Sequence, residues 1–147
     1  MAIRFHSQKI NFDLTHKNLH KSWIRSSIAA FDRIPGEISY IFTSNPSLRE
    51  LNREYLNHDY FTDVITFDYS DEGRISGDIF ISIDQVKINA GIYNEDFEEE
   101  LKRVMIHGVL HLIGFGDATD VEKAEMRKLE NEALHLWSKG DSNDSGI

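Results

Sequence analysis

The chain has 147 residues, enough for one domain with a single core and no need of covalent staples. It contains no cysteine, so disulfides and thiolate ligands are excluded and any metal must bind through His, Asp or Glu. A formal net charge of −9 argues against indiscriminate binding to nucleic acid, since phosphate contacts need Lys and Arg.

That charge is uneven. Residues 1–25 hold five basic groups (Arg4, Lys9, Lys17, Lys21, Arg25) against one acid, Asp13, whereas the remainder holds 11 basic groups against 24 acids. Taken alone, the basic end is a solvated face, with a local phosphate contact as the alternative. No apolar run approaches a membrane span and no charged-then-apolar leader precedes the first element, which points to a cytoplasmic protein with no membrane partner.

IRFHSQKI (3–10) reads as a first strand. Leu19, Trp23, Ile24, Ile28 and Phe31 recur at helical spacing, which predicts an amphipathic helix over about 15–32, broken by Pro35-Gly36. ISYIFTS (38–44) is a second strand. Ser44 or Asn45 then caps a helix that has Pro46 at its first position. VITFDY (64–69) and DIFISI (78–83) are strands joined by a loop centred on Asp71-Glu72-Gly73. Asp84 is placed to cap a short helix to about Tyr93, and Asn94 to cap another that ends near Gly114. Thr119 and Glu122 form a capping-box pattern that opens a last helix through Trp137. The expected architecture is α+β: a small mixed sheet of about four strands packed by about five helices. One domain spans 1–138, followed by a frayed polar tail over 139–147.

The segment HGVLHLIGFGD (107–117) carries the chemistry. His107 and His111 lie one turn apart on the same helix face, so both imidazoles can reach one ion. Spacing alone is weak. Among seven histidines chance gives roughly 0.3 such pairs, and His16 and His20 share the spacing with nothing nearby to complete a site; they read as surface residues. The second pair is set among Val104, Leu110, Leu112 and Ile113, on a core helix. Gly108 removes bulk beside the histidines, and Gly114 can end the helix and turn the chain so that Asp117 returns to them. Three protein ligands would leave a fourth position for water, the mark of a catalytic rather than a structural centre. The opposing reading is a pair of buried histidines donating to carbonyls, with Asp117 as a cap residue. Zinc peptidases of the H-E-x-x-H kind place a glutamate base after the first histidine; Gly108 stands there, which disfavours that chemistry.

HGVLHLIGFGD resembles the signature H-G-x-L-H-L-x-G-Y-D-H of the YbeY family, bacterial metal-dependent endoribonucleases that mature ribosomal RNA. The resemblance extends over LNREYLNHDYFTDVITF (51–67), SGDIFISIDQVKINA (76–90) and EKAEMRKLENEAL (122–134), in the family's order. It implies a single-strand-specific endoribonuclease acting in 16S rRNA 3′-end maturation and ribosome quality control. It further implies one divalent ion, zinc first among candidates, on His107, His111 and Asp117, and ribosomal RNA and ribosomal subunits as partners. No organic cofactor is expected, and no general base is assigned. Asp117 stands where the family has a third histidine. A carboxylate there leaves the ion less positive and predicts better competition by a harder ion such as Mn²⁺. Leu56 occupies the place of an arginine that the family uses for RNA, with Arg53, one turn earlier, as its replacement. Thr62, Asp63 and Asp78 are candidates for lining the cleft. Two other functions compete: metal-dependent hydrolysis of another bond, peptidase-like, and a non-catalytic ribosome-assembly factor whose metal only pins helix to loop.

Overall fold

The computed structural model describes residues 2–56 and 62–145 of the chain. In order, its elements are β1 (Ala2–Ser7), α1 (Lys17–Ala29), β2 (Ile34–Thr43), α2 (Asn45–Leu56), β3 (Val64–Asp68), β4 (Arg74–Ser82), α3 (Ile83–Ile92), α4 (Phe97–Ile113) and α5 (Asp120–Ser145). The strands form one sheet ordered β1-β2-β4-β3, parallel except for the β3–β4 hairpin. The α+β architecture is therefore the one that the hydrophobic pattern predicts. Among the described residues no helix is long and apolar enough to cross a membrane.

Alternation along the strands decides which face is buried. Ile75, Ile79 and Ile81 of β4 and Ile38, Tyr40 and Phe42 of β2 point to the helical side. Helices α1 and α4 pack there, and α5 packs on both from outside. Helix α4 is buried almost all round, with Leu101, Val104, Met105, Ile106, Val109, Leu110 and Leu112 in the core, as expected of a central helix. Two buried polar groups tie the layers together: Tyr40 Oη donates to Met105 O at 3.0 Å, and Trp23 Nε1 donates to Ala133 O at 2.6 Å.

Helix α4 lies close against β4 at Gly108. A Cβ there would lie 2.7 Å from Ile79 Cγ2, so only glycine lets this helix lie against this strand. The expectation that Gly108 clears space beside the histidines is corrected: the space is taken by the sheet.

Several boundaries differ from expectation for local reasons. Strand β2 begins at Ile34, so Pro35-Gly36 lies inside it; β1 pairs only from Glu37 onward, and the missing proline N–H is not needed. Strand β4 runs straight into α3, so Ser82 rather than Asp84 is the cap, its Oγ accepting from Gln85 N at 3.2 Å. Asp84 instead accepts from Asn45 N at 2.9 Å, at the start of α2. Asp96, not Asn94, precedes α4. Helix α5 opens on the expected capping box: Glu122 N donates to Thr119 Oγ1 at 3.1 Å and Thr119 N to Glu122 Oε1 at 3.0 Å. Its backbone continues past Trp137 to Ser145, into the stretch where a frayed tail is expected.

His20 is the main correction. It is 2% exposed, its Nδ1 faces His16 O at 2.9 Å, and its ring lies 4.7 Å from the Trp137 ring. Only His16 is a surface residue.

Candidate metal centre

Helix α4 ends where the site begins. Gly114 has φ 125°, in the region that favours glycine, and Phe115 N returns to Leu110 O at 3.0 Å. Phe115 packs beside Leu110, Met126 and Phe31, which anchors the returning loop and brings Asp117 back over the helix. Asp117 Oδ2 then lies 3.2 Å from His107 Nε2 and 3.4 Å from His111 Nε2, and the two Nε2 atoms are 2.9 Å apart. Among the described residues these three form the one group of ligand atoms close enough to share an ion.

The donor set fits a divalent cation. His111 Nδ1 faces Phe115 O at 3.0 Å, and His107 Nδ1 faces Glu130 Oε2 at 2.7 Å. Both partners accept, so both Nδ1 atoms carry the proton and both Nε2 lone pairs point at one another and at a carboxylate. Three converging acceptors call for a positive charge between them, which a divalent ion, or a proton on His107, supplies. This outcome favours the metal reading over buried histidines that merely donate to carbonyls.

Glu130 is the residue that the sequence reading did not single out. It lies on α5, buried, and divides its carboxylate between His107 on one oxygen and Arg103 Nη1 at 3.1 Å on the other. Arg103 also donates to Asn131 Oδ1 at 3.0 Å. Burial alone would raise the Glu130 pKa, but the His107 bond and charge and the Arg103 bond outweigh it and hold it low. Burial likewise opposes the His107 imidazolium, yet Glu130, Asp63 and Asp117 together hold its pKa above the ordinary histidine value. Glu130 closes the M-x-x-x-E segment of the helix that carries part of the resemblance, which was the available signal.

Two cavities flank the triad. One, of about 230 Å³, is lined by His111, Asn52, Leu56, Thr62 and Thr66. The other, of about 250 Å³ and more polar, includes His107, Asp117, Asp63, Asn89, Glu100 and Glu130. Thr62 and Asp63 therefore line the cleft. Asp78 does not: it lies on the sheet face away from α4, accepting from Tyr69 Oη at 3.3 Å. Arg53 pairs with Glu50 on its own helix, and Leu56 rather than Arg53 lines the His111 cavity. Of the basic group in residues 1–25, Arg4 pairs with Glu37 at 3.1 Å and Lys17 with Asp13 at 2.9 Å, and neither lines the two cavities. The stretch 57–61 of the resemblance lies outside the described residues.

Comparison with known proteins agrees with this geometry. The family pattern described as Endoribonuclease YbeY matches residues 2–138. Proteins named Endoribonuclease YbeY are 44% identical in Parabacteroides distasonis, covering 92% of this chain and 96% of the relative, and 45% identical in Bacteroides fragilis, covering 92% and 98%. A third, in Flavobacterium psychrophilum, is 47% identical over 88% of this chain and 92% of its own length. The solution structure of TM1509 from Thermotoga maritima superposes with a TM-score of 0.62 at 27% identity, covering 97% of this chain and 95% of that one. Sequence pattern, relatives and fold agree over nearly the same span, and the chain belongs to the endoribonuclease YbeY family.

Proposed function

We propose that this chain is a metal-dependent endoribonuclease, specific for single-stranded RNA, that acts in 16S rRNA 3′-end maturation and ribosome quality control. The observation that carries the reading is the convergence of two histidine lone pairs and the Asp117 carboxylate, in a family whose members are named endoribonucleases. His107, His111 and Asp117 would hold one divalent ion, with zinc favoured by the nitrogen and oxygen donor set. Such an ion supplies Lewis acidity, making nearby water more acidic and offsetting charge on the scissile phosphate.

The rest of the work falls to the chain's own groups. Glu130 holds His107 in the tautomer that presents Nε2, and Phe115 O does the same for His111. Gly108 argues against peptidase chemistry, because the Ile79 side chain occupies the space that a glutamate at that position would need. The single domain over 1–138 acts in the cytoplasm with ribosomal subunits as partners. A net charge of −9 makes free RNA a poor ligand, so productive binding occurs on a docked ribosome, with the basic residues of 1–25 as phosphate contacts. The test pairs elemental analysis of the purified protein with cleavage of single-stranded RNA by wild type and His111→Ala. Stoichiometric metal and cleavage, both lost in the variant, are expected; RNA cleavage that survives His111→Ala overturns the reading, as does tight binding of arbitrary RNA at physiological salt for the docking step.

A further inference from the structure

We propose that the polar cavity beside His107 is a nucleobase subsite selecting guanine next to the scissile phosphate, with Glu100 accepting from the base edge and Tyr93 stacking on it. The proposal rests on the endoribonuclease reading. His107 and Asp117 belong to both the triad and the cavity wall, so a nucleotide whose phosphate lies at the triad has its base beside this opening.

The pointer to a ligand is Glu100. It is 4% exposed, it lines the cavity, and among the described residues its carboxyl has no hydrogen-bond or ion-pair partner. A role at the start of α4 does not explain it, because Glu98 and Glu99 already place exposed acids in that turn. Burial, with the nearby charge of Asp63, raises its pKa against the opposing charges of Arg103 and Arg127, so its charged form faces the cavity without a hydrogen-bond donor from the described residues. A ligand carrying N–H donors would supply what is missing.

Guanine fits that vacancy in chemistry. Its N1–H and N2–H donors lie side by side and match the two oxygens of one carboxylate. Cytosine and adenine set one donor beside an acceptor, and uracil has one N–H between two carbonyls. Arg127 on the same wall, 3.9 Å from Glu130 Oε1 and half exposed, has donors for O6 and N7. Tyr93, 58% exposed where α3 ends, offers a flat face at the same cavity. A second metal ion is disfavoured, since the carboxylates of Asp63, Glu100 and Glu130 do not converge and Glu130 uses both oxygens.

The experiment titrates the metal-loaded full chain with GMP, AMP, CMP and UMP by calorimetry, alongside cleavage of single-stranded oligonucleotides in which one guanosine is moved. GMP should bind roughly tenfold more tightly than UMP. Glu100→Gln, which offers one donor and one acceptor, should bring that ratio within about threefold and favour AMP. Tyr93→Ala, at an exposed site, should weaken all four by about fivefold or more without changing their order. Equal binding of the four nucleotides overturns the subsite, as does a guanine preference that survives Glu100→Gln. A second Mn²⁺ equivalent abolished by Glu100→Gln, with no nucleotide preference, overturns it in favour of a cation. Guanine-selective binding without cleavage of any RNA removes the endoribonuclease reading alone; cleavage without base preference removes the subsite alone.

Discussion

Glu130 offers the sharpest test of the proposed metal centre. It uses Oε2 for His107 Nδ1–H and Oε1 for Arg103 Nη1, two donors on opposite oxygens. Glu130→Gln keeps the shape but has only one accepting atom. Whichever donor the amide oxygen serves, the amide N–H₂ faces the other, so a repulsive donor pair replaces one charge-assisted bond. If Arg103 keeps the oxygen, His107 is driven to the tautomer with the proton on Nε2, and one of the three ligands is lost. If His107 keeps it, Arg103 retains only Asn131, and the ring loses the negative charge that makes Nε2 a stronger donor to metal.

Losing a partner of this kind costs about 10–100-fold in metal affinity, or roughly 1.4–2.8 kcal/mol. The assay is competition for Zn²⁺ against a chromophoric chelator, with circular dichroism to confirm the fold. Asn131→Ala is the control, removing the other Arg103 partner while leaving Glu130 on His107; its zinc affinity should stay within about threefold of wild type. Unchanged zinc affinity in Glu130→Gln would refute the assignment of Glu130 as the residue that orients His107. An equal loss in both variants would show that helix packing rather than the carboxylate matters.

Three further outcomes follow from named contacts. Gly108→Ala gains about 1 kcal/mol of helix propensity but places a methyl 2.7 Å from the wholly buried Ile79, and overpacking costs about 1–3 kcal/mol; chemical denaturation should show a net loss of up to about 2 kcal/mol, and a gain would mean that α4 can lift off β4. Burial lowers the His20 pKa more than the His16 carbonyl and Glu98 raise it, so the unfolded chain takes up that proton at a higher pH than the folded one. The stability that neutral His20 contributes is thus present above about pH 6.5 and is lost as pH falls towards its folded value, so Tm should drop more steeply from pH 7 to 5 in wild type than in His20→Leu; parallel profiles would sink the idea. Asp117→His should raise the ratio of zinc to manganese affinity, read by paired titrations, and an unchanged ratio would show that the carboxylate does not set metal preference.

The sequence was most legible where one physical signal dominated. The capping box of Thr119 and Glu122 and the glycine turn after His111 are local features that lie where their patterns put them, and all four β-branched runs are strands, though with shifted ends. The candidate triad was legible because its three members lie within eleven residues, on one helix and its turn. Distance in sequence hid the rest. Glu130 reaches His107 from α5 and Asn89 enters from α3, and nothing local to either says so, whereas Asp63, just before β3, was legible only through the family resemblance. His20 failed for a related reason: its fate is set by Trp137, far along the chain, rather than by the exposed neighbours at 16–18. Asp78 failed through strand parity, since alternation on β4 gives the helical side to Gly77 and Ile79 and turns Asp78 away from the site.

Helix α4 binds these observations into one argument about why the site tolerates Asp117 as its third member. The helix is fixed from several sides: β4 meets it at Gly108, Tyr40 bonds its Met105 carbonyl, and α5 meets it through Glu130 and Arg103. His107 and His111 are therefore placed by the core itself, before any ligand arrives. Asp117 is held differently, 44% exposed on a loop whose anchors are Gly114 and the Phe115 ring. Rigid placement of two ligands leaves the third free to vary in kind, so long as the loop length and the Gly114 turn deliver an electron pair to the same point. A change from histidine to aspartate then alters the charge at the centre without disturbing the two imidazoles. Substitution at Asp117 should accordingly change which metal is preferred far more than it changes the stability of the fold, whereas substitution at Gly108 should do the reverse.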